Sequence, residues 1–152
     1  MTNLAFNKKA GFDYEFLEKF EAGLVLAGQE VKSVRLGQAS LAGSFVTLDR
    51  KSEAYLINAQ IPPYKFAGPL PGYDPKRSRK LLLNKKELSF LIGKTQQSGL
   101  TLVPLSLYNK NNKIKLEFAL SRGKKKSDKR QSIKEREAKR DIERALKQKF
   151  RG

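Results

Sequence analysis

The last thirty residues, GKKKSDKRQSIKEREAKRDIERALKQKFRG from Gly123 to Gly152, cannot build a core. From Arg122 onward there are 14 Lys/Arg against 5 Asp/Glu, a net charge of +9. Only Ile133, Ala138, Ile142, Ala145, Leu146 and Phe150 are apolar there. Folding is therefore left to the residues before the tail, which hold most of the apolar side chains. A chain of 152 residues organised this way reads as one domain, 1–122, plus a basic appendage, 123–152.

The charge points to the partner. A net +17 and a pI near 10.2 call for a polyanion, with nucleic acid ahead of a membrane surface. No stretch approaches the ~20 apolar residues that span a bilayer, so nothing is expected to span one, and with nucleic acid the leading candidate no membrane partner is assigned. Met1–Phe6 lacks a basic segment followed by an apolar run, so no secretory signal is read. There is no Cys and no His, which removes disulfides, thiol nucleophiles, the commonest zinc ligand and the commonest general base near neutral pH. No catalytic residue, metal site or cofactor is assigned, and a cytoplasmic binding protein is expected. Gly93–Thr95 spells GKT, but a phosphate-binding loop needs a glycine where Leu88 stands. Glu15, Glu18 and Glu21 read as the solvated face of a strand rather than as an acid–base pair.

The body reads as strands with two short helices. Asp13–Gly28 is two strands or one bent strand, with Gly23 as a bulge or bend. Gln29–Gly37 is a short helix, from Val31 and Val34 at helical spacing and Gly37 as a stop. Ser44–Asn58 is a hairpin turning at 49–52. Gln60–Lys80 holds five of the six prolines and is read as irregular, ending in a basic cluster of Lys76, Arg77, Arg79 and Lys80. Asn84 with Glu87 forms a capping box for a helix through Thr95, with Gly99 as its stop. Leu100–Leu120 is the plainest hairpin: Ile114, Leu116, Phe118 and Leu120 alternate with polar or small residues, the turn lies at 109–112, and Pro104 marks an edge or a bulge. About six antiparallel strands in a body of this size suggest a mainly β fold with short helices, closed as an OB-type antiparallel β-barrel. On pattern alone, Leu82 reads as a core residue and Asn84 as a helix cap.

The tail has helical features. Ser132 with Glu135 fits a capping box, and neither Gly nor Pro interrupts 132–149. Ala138, Ile142, Ala145 and Leu146 make a narrow apolar stripe. Such a helix is marginal alone, so the tail is expected to be unfolded when free and to fold against a surface.

At this point several stretches resemble the SsrA-binding protein family, also called small protein B. They are NKKAGFDY, FEAGLVLAGQEVKSVRLGQASL, DPKRSRKLLLNKKEL, GLTLVPLSLY, and GKKKSDKR followed by IKERE. They cover the chain from about Asn7 into the tail, and their order and spacing are specific. The resemblance implies an RNA-binding barrel that grips the tRNA-like end of transfer-messenger RNA, meets elongation factor Tu through that shared RNA, and works as a monomer and a non-enzyme in rescuing stalled ribosomes. It implies a tail that becomes helical in the vacant messenger path and decoding region of the small subunit.

The family's RNA contacts carry over onto Glu21, Leu82 and Asn84. Its tail motif falls on Gly123, Lys124, Lys125, Asp128, Lys129 and Arg130, and its later apolar helix position matches Ala145 or Leu146; Ile142, on the same stripe, is read with them as a tail contact. Lys8, Lys9, Arg35, Arg77 and Lys80 are read as phosphate contacts from their charge and neighbourhood. Two positions depart from the family's habit: Phe12 stands where relatives commonly have His, and Ser127 where they often have His or an aromatic residue. Other readings of the same residues are a structural ribosomal protein with a basic extension, and a carboxylate-based RNA-processing enzyme.

Overall fold

The structure, a computed structural model, describes residues 2–150. In chain order it has β1 (Thr2–Phe6), α1 (Ala10–Asp13), β2 (Tyr14–Leu24), α2 (Gly28–Arg35), β3 (Phe45–Leu48), β4 (Ala54–Ile57), β5 (Arg79–Leu82), α3 (Lys85–Thr95), β6 (Leu100–Lys110), β7 (Lys113–Gly123) and α4 (Lys126–Phe150). The strands pair antiparallel in the order β6-β3-β4-β5-β2-β7, and β7 returns to β6, so these strands close a ring. β1 lies outside the ring's sequence, on the same edge of β6 as β3. The interior is packed by Leu56, Leu102, Leu107, Leu116 and Phe118, with Val34 from α2 and Leu91 from α3. Each such side chain contributes about 1.5–3 kcal/mol on burial. A smaller cluster of Ala10, Val103, Leu105 and Ala119 sits under α1.

The long hairpin follows its pattern. Ile114, Leu116, Phe118 and Leu120 are all buried, and the turn tightens to Asn111 and Asn112, both at positive φ (52° and 61°). Asparagine tolerates that region better than most residues. The irregularity expected at Pro104 is a register shift between Pro104 and Ser106. Other expectations need correction. The bulge in β2 falls between Phe16 and Glu18; Gly23 is in register with Lys115 on one side and Leu82 on the other. Asn84 and Glu87 do cap α3 reciprocally, but the helix ends at Thr95, and Gly99 (φ 82°) belongs to the turn into β6. β1, α1 and β5 have no counterpart among the expected elements. They are short, and β5 begins with two basic residues that sequence reading assigns to a loop.

The tail helix starts at Lys126, six residues before the capping box at Ser132. Tertiary contacts account for the early start. Lys124 N–H donates to the Asp13 carbonyl at 2.9 Å and its Nζ to the Gly11 carbonyl at 2.9 Å. Lys129 Nζ lies 3.4 Å from the Asp13 carboxylate. Phe12 lies under Lys129 Nζ and the Arg136 guanidinium, 5.9 and 5.6 Å from the ring centre. α1 thus holds the first turns of α4, and Phe12 is a cation–π seat for it. Further along, Ile142 and Leu146 are exposed with nothing over them among the described residues.

The most consequential contact is buried and polar. Arg79, expected in a basic cluster, points into the fold and is fully buried, as is Glu30 of α2. Arg79 donates to Glu30 from Nε (3.0 Å) and Nη2 (2.6 Å), and from Nη1 to the Ala59 carbonyl (2.7 Å). Glu30 also accepts from the Ala27 N–H (2.9 Å), the Tyr73 hydroxyl (3.1 Å) and Arg77. The single Tyr73 hydroxyl proton is shared with the Ile61 carbonyl, which lies closer, at 2.7 Å. One carboxylate therefore ties α2, β5 and the proline-rich segment together. Burial alone would raise the Glu30 carboxyl; Arg77, the Ala27 N–H and Arg79 outweigh it and hold the carboxyl below its ordinary 4.5.

Removing one partner of such a pair strands a buried charge. Glu30→Ala should lower unfolding free energy by about 3–5 kcal/mol in urea titrations. Arg77→Ala should cost about 1 kcal/mol or less, because Arg77 is part-exposed and its loss leaves Arg79 paired. The folded carboxyl titrates below the unfolded one. Its stabilisation is therefore complete above pH 4.5 and fades as pH falls through the folded value. Urea midpoints measured down that range should fall for the natural chain and fall less for Glu30→Gln.

Candidate RNA-binding surface

Four residues line up across the ring's outer face. Tyr108 of β6 pairs with Lys115 of β7, Lys115 with Gly23 of β2, and Gly23 with Leu82 of β5. Their neighbours Leu107, Leu116, Ala22 and Leu81 are buried in the interior, so alternation puts this row on the other face, where Tyr108 is itself covered (5% exposed). Gly23 leaves a gap in the row: a Cβ there would lie 3.5 Å from Leu82 Cβ and 3.7 Å from Lys115 Nζ. Leu82 beside it is 56% exposed. A hollow of about 410 Å³ is lined by Leu82 together with Leu83, Leu88, Lys80 and Glu53.

Glu21, two residues before Gly23, projects from the same face. It accepts a hydrogen bond from the Tyr108 hydroxyl, and Lys110 Nζ lies 3.3 Å from both its oxygens. The Tyr108 hydroxyl, then Lys110, hold the Glu21 carboxyl below its ordinary value despite some burial. Burial first, and Glu21 second, push the Tyr108 phenol well above its ordinary 10.0. Glu21 is thus a fixed, ionised acceptor with two cations, Lys110 and Lys115, beside it. That is the character of a base-edge acceptor that also orients cations toward phosphates.

Leu82 and Asn84 complete this side. Leu81, Leu82 and Leu83 are all leucine, and only the strand phase decides which faces out. Asn84 spends its Oδ1 on the Glu87 N–H at 2.8 Å. Its Nδ2 donates to nothing among the described residues, so one face of the amide remains available. The core reading of Leu82 is therefore corrected, while the cap reading of Asn84 holds alongside a free donor.

The predicted phosphate contacts scatter. Lys80 flanks Leu82 and lies 3.5 Å from Glu53. Arg35 donates from Nη2 to the Asn112 carbonyl at the hairpin tip, 2.9 Å. Arg77 is engaged by Glu30. Lys8 and Lys9 are exposed at the far end of the ring, on a groove of about 770 Å³ with Phe6 and Phe45. The tail positions divide likewise. Gly123 is the last residue of β7, Lys124 and Lys129 contact α1, and Lys125 accepts the Lys129 N–H on its carbonyl. Arg130, Ile142, Ala145 and Leu146 are exposed, and the Asp128 and Ser127 side chains lie outside the described residues. Sequence reasoning missed Tyr108, Lys110, Lys115 and Gly23. Their signal was the strand register, which places them beside Glu21.

Tyr108→Phe tests this electrostatic picture. Without the hydroxyl the Glu21 carboxyl should titrate closer to 4.5, read by NMR on the side-chain carboxyl, with little change in folding.

The chain can now be set beside known proteins. A family model described as "SmpB protein" matches residues 4–148. The SsrA-binding protein of Thermosynechococcus vestitus is 51% identical over 145 residues, covering 95% of each chain. That of Acaryochloris marina is 53% identical over 141 residues, covering 93% of this chain and 91% of its own. That of Sulfurihydrogenibium sp. is 52% identical over 148 residues, covering 97% of this chain and 96% of its own. A chain in the solved structure described as "tmRNA-SmpB: a journey to the center of the bacterial ribosome" superposes with a TM-score of 0.66 at 44% identity, covering 84% of this chain and 92% of that one. With half its residues shared over nearly its whole length, and a family match running from the first strand into the tail helix, the chain belongs to the SmpB, or SsrA-binding protein, family.

Proposed function

We propose that the chain binds the tRNA-like domain of transfer-messenger RNA through the outward face of Glu21, Gly23, Leu82 and Asn84, and serves trans-translation on stalled ribosomes. The observation that carries this is the fixed, ionised Glu21 beside an exposed leucine and an available asparagine amide. An exposed leucine beside a hollow offers an apolar seat for a base, and Glu21 and Asn84 offer an acceptor and a donor for its edge. Family membership and the ribosome-bound structural relative support the choice of RNA. The ring of strands is read as an OB-type barrel, and the chain as a cytoplasmic monomer that acts by binding. Elongation factor Tu would be met through the shared RNA.

The tail completes the function. Ile142, Ala145 and Leu146 form an uncovered stripe, and an isolated helix of this composition is marginal. On this reading the distal tail is unfolded off the ribosome and becomes helical in the vacant messenger path, with Gly123, Lys124, Lys125, Asp128, Lys129 and Arg130 at its start. A structural ribosomal protein would instead be present on every ribosome.

Two forms, the full chain and one ending at Gly123, separate these roles. Both should bind the tRNA-like domain selectively over a misfolded control. Each phosphate contact should add about −0.9 to the log–log salt slope. The short form should fail to support tagging of stalled products. Loss of selective binding on truncation would make the tail a generic basic grip instead.

A further inference from the structure

The proline-rich segment carries an aromatic and cationic cluster that the surface above does not use. Phe66 is 73% exposed, the most open of the large apolar side chains among the described residues. Its ring meets Tyr64 edge to face, with centroids 5.5 Å apart and planes at 71°. Lys65 Nζ lies 5.0 Å from the Phe66 ring centre, and Lys32 Nζ of α2 lies 5.4 Å from that of Tyr64. The cluster is held in place. The Tyr64 N–H donates to Gln29 Oε1 at 2.9 Å, the Ser33 hydroxyl to the Pro62 carbonyl at 2.7 Å, and the Ala67 N–H to the Tyr64 carbonyl at 3.0 Å. Ile61 is buried, and its N–H donates to the Pro75 carbonyl at 2.9 Å. An exposed phenylalanine on a pinned loop buries little beyond its edge contact with Tyr64, so packing of the fold does not account for it.

The cluster is also continuous with the Glu21 face. Glu21 contacts Lys110, which precedes the hairpin turn. The Asn112 carbonyl in that turn accepts from Arg35. Arg35 lies one helical turn from Lys32 on α2, and Lys32 covers Tyr64. Lys32, Arg35 and Lys65 pair with no carboxylate among the described residues. The track between the two sites is thus positive, and an apolar protein partner would gain nothing from it.

We propose that Phe66, with Tyr64, Lys32 and Lys65, is a second RNA contact that stacks an unpaired base of the RNA gripped at Glu21 and Leu82. It rests on the proposed RNA-binding surface. The aromatic ring supplies the stacking face and the lysines meet the flanking phosphates. Because stacking is not ionic, its loss should lower affinity without changing the salt slope.

The chain has no Trp, so Phe66→Trp places a single indole reporter at the site. The probe is the tRNA-like domain of transfer-messenger RNA with the full chain. Phe66→Ala should weaken binding about tenfold at an unchanged salt slope. Phe66→Trp should bind within about threefold of the natural chain, with its indole emission quenched at saturation. Leu82→Ala is the control for the underlying reading. If Leu82→Ala weakens binding while Phe66→Ala binds normally and the indole emission of Phe66→Trp is unmoved, this inference is overturned and the surface stands. If neither alanine variant weakens binding, the RNA-binding face itself is wrong.

Discussion

The ion pair of Glu30 with Arg79 sets which side chains β5 displays on the outer face. Both side chains are fully buried, a costly placement for charges unless every hydrogen-bonding atom is matched. Here Arg79 has Glu30, the Ala59 carbonyl and Tyr73, while Glu30 has Arg77, Arg79, Tyr73 and the Ala27 N–H. The consequence reaches beyond stability. β5 has period-two alternation, so turning Arg79 inward turns Lys80 and Leu82 outward. The leucine run 81–83 carries no phase information of its own. A buried arginine three residues upstream of Leu82 decides which leucine faces outward. The same carboxylate anchors Tyr73 and so limits where the loop bearing Tyr64 and Phe66 can sit.

Much of the architecture was legible because its signals are local. The Ile114–Leu120 alternation, the Asn84–Glu87 capping box and the Val31–Val34 spacing each specify one element without help from the rest. What escaped depended on distant partners. Nothing near Arg79 announces that Glu30, 49 residues earlier, will accept it, so a basic residue after prolines reads as surface. Gly23 drew notice as a bend; its role as a gap beside Leu82 follows from pairing on both of its sides. Glu21 reads as a solvated strand carboxylate until register places Tyr108 and Lys110 against it. Residue character alone marked Glu21, Leu82 and Asn84 as structural, and only the family resemblance selected them.

The tail shows the same division. Its composition excludes a core, and its apolar stripe is visible in the spacing of Ala138, Ile142, Ala145 and Leu146. Its root is a tertiary feature. Phe12 lies beneath Lys129 and Arg136, and Asp13 meets Lys129. A ring that accepts cations on its face suits a tail this basic. The body and the tail are therefore joined by exposed, individually weak contacts, each worth about 1 kcal/mol or less. Such contacts can aim the helix without locking it, which suits a segment proposed to find its partner in the messenger path.

The central question is which face of the ring meets RNA. Amide chemical shifts of the labelled full chain, followed during titration with the tRNA-like domain, test that directly. With RNA on the proposed face, the largest changes should fall on Glu21, Gly23, Leu82, Asn84 and Lys115. Changes concentrated instead on Lys8, Lys9 and the groove with Phe6 and Phe45, with the Gly23 and Leu82 resonances unmoved, would contradict it.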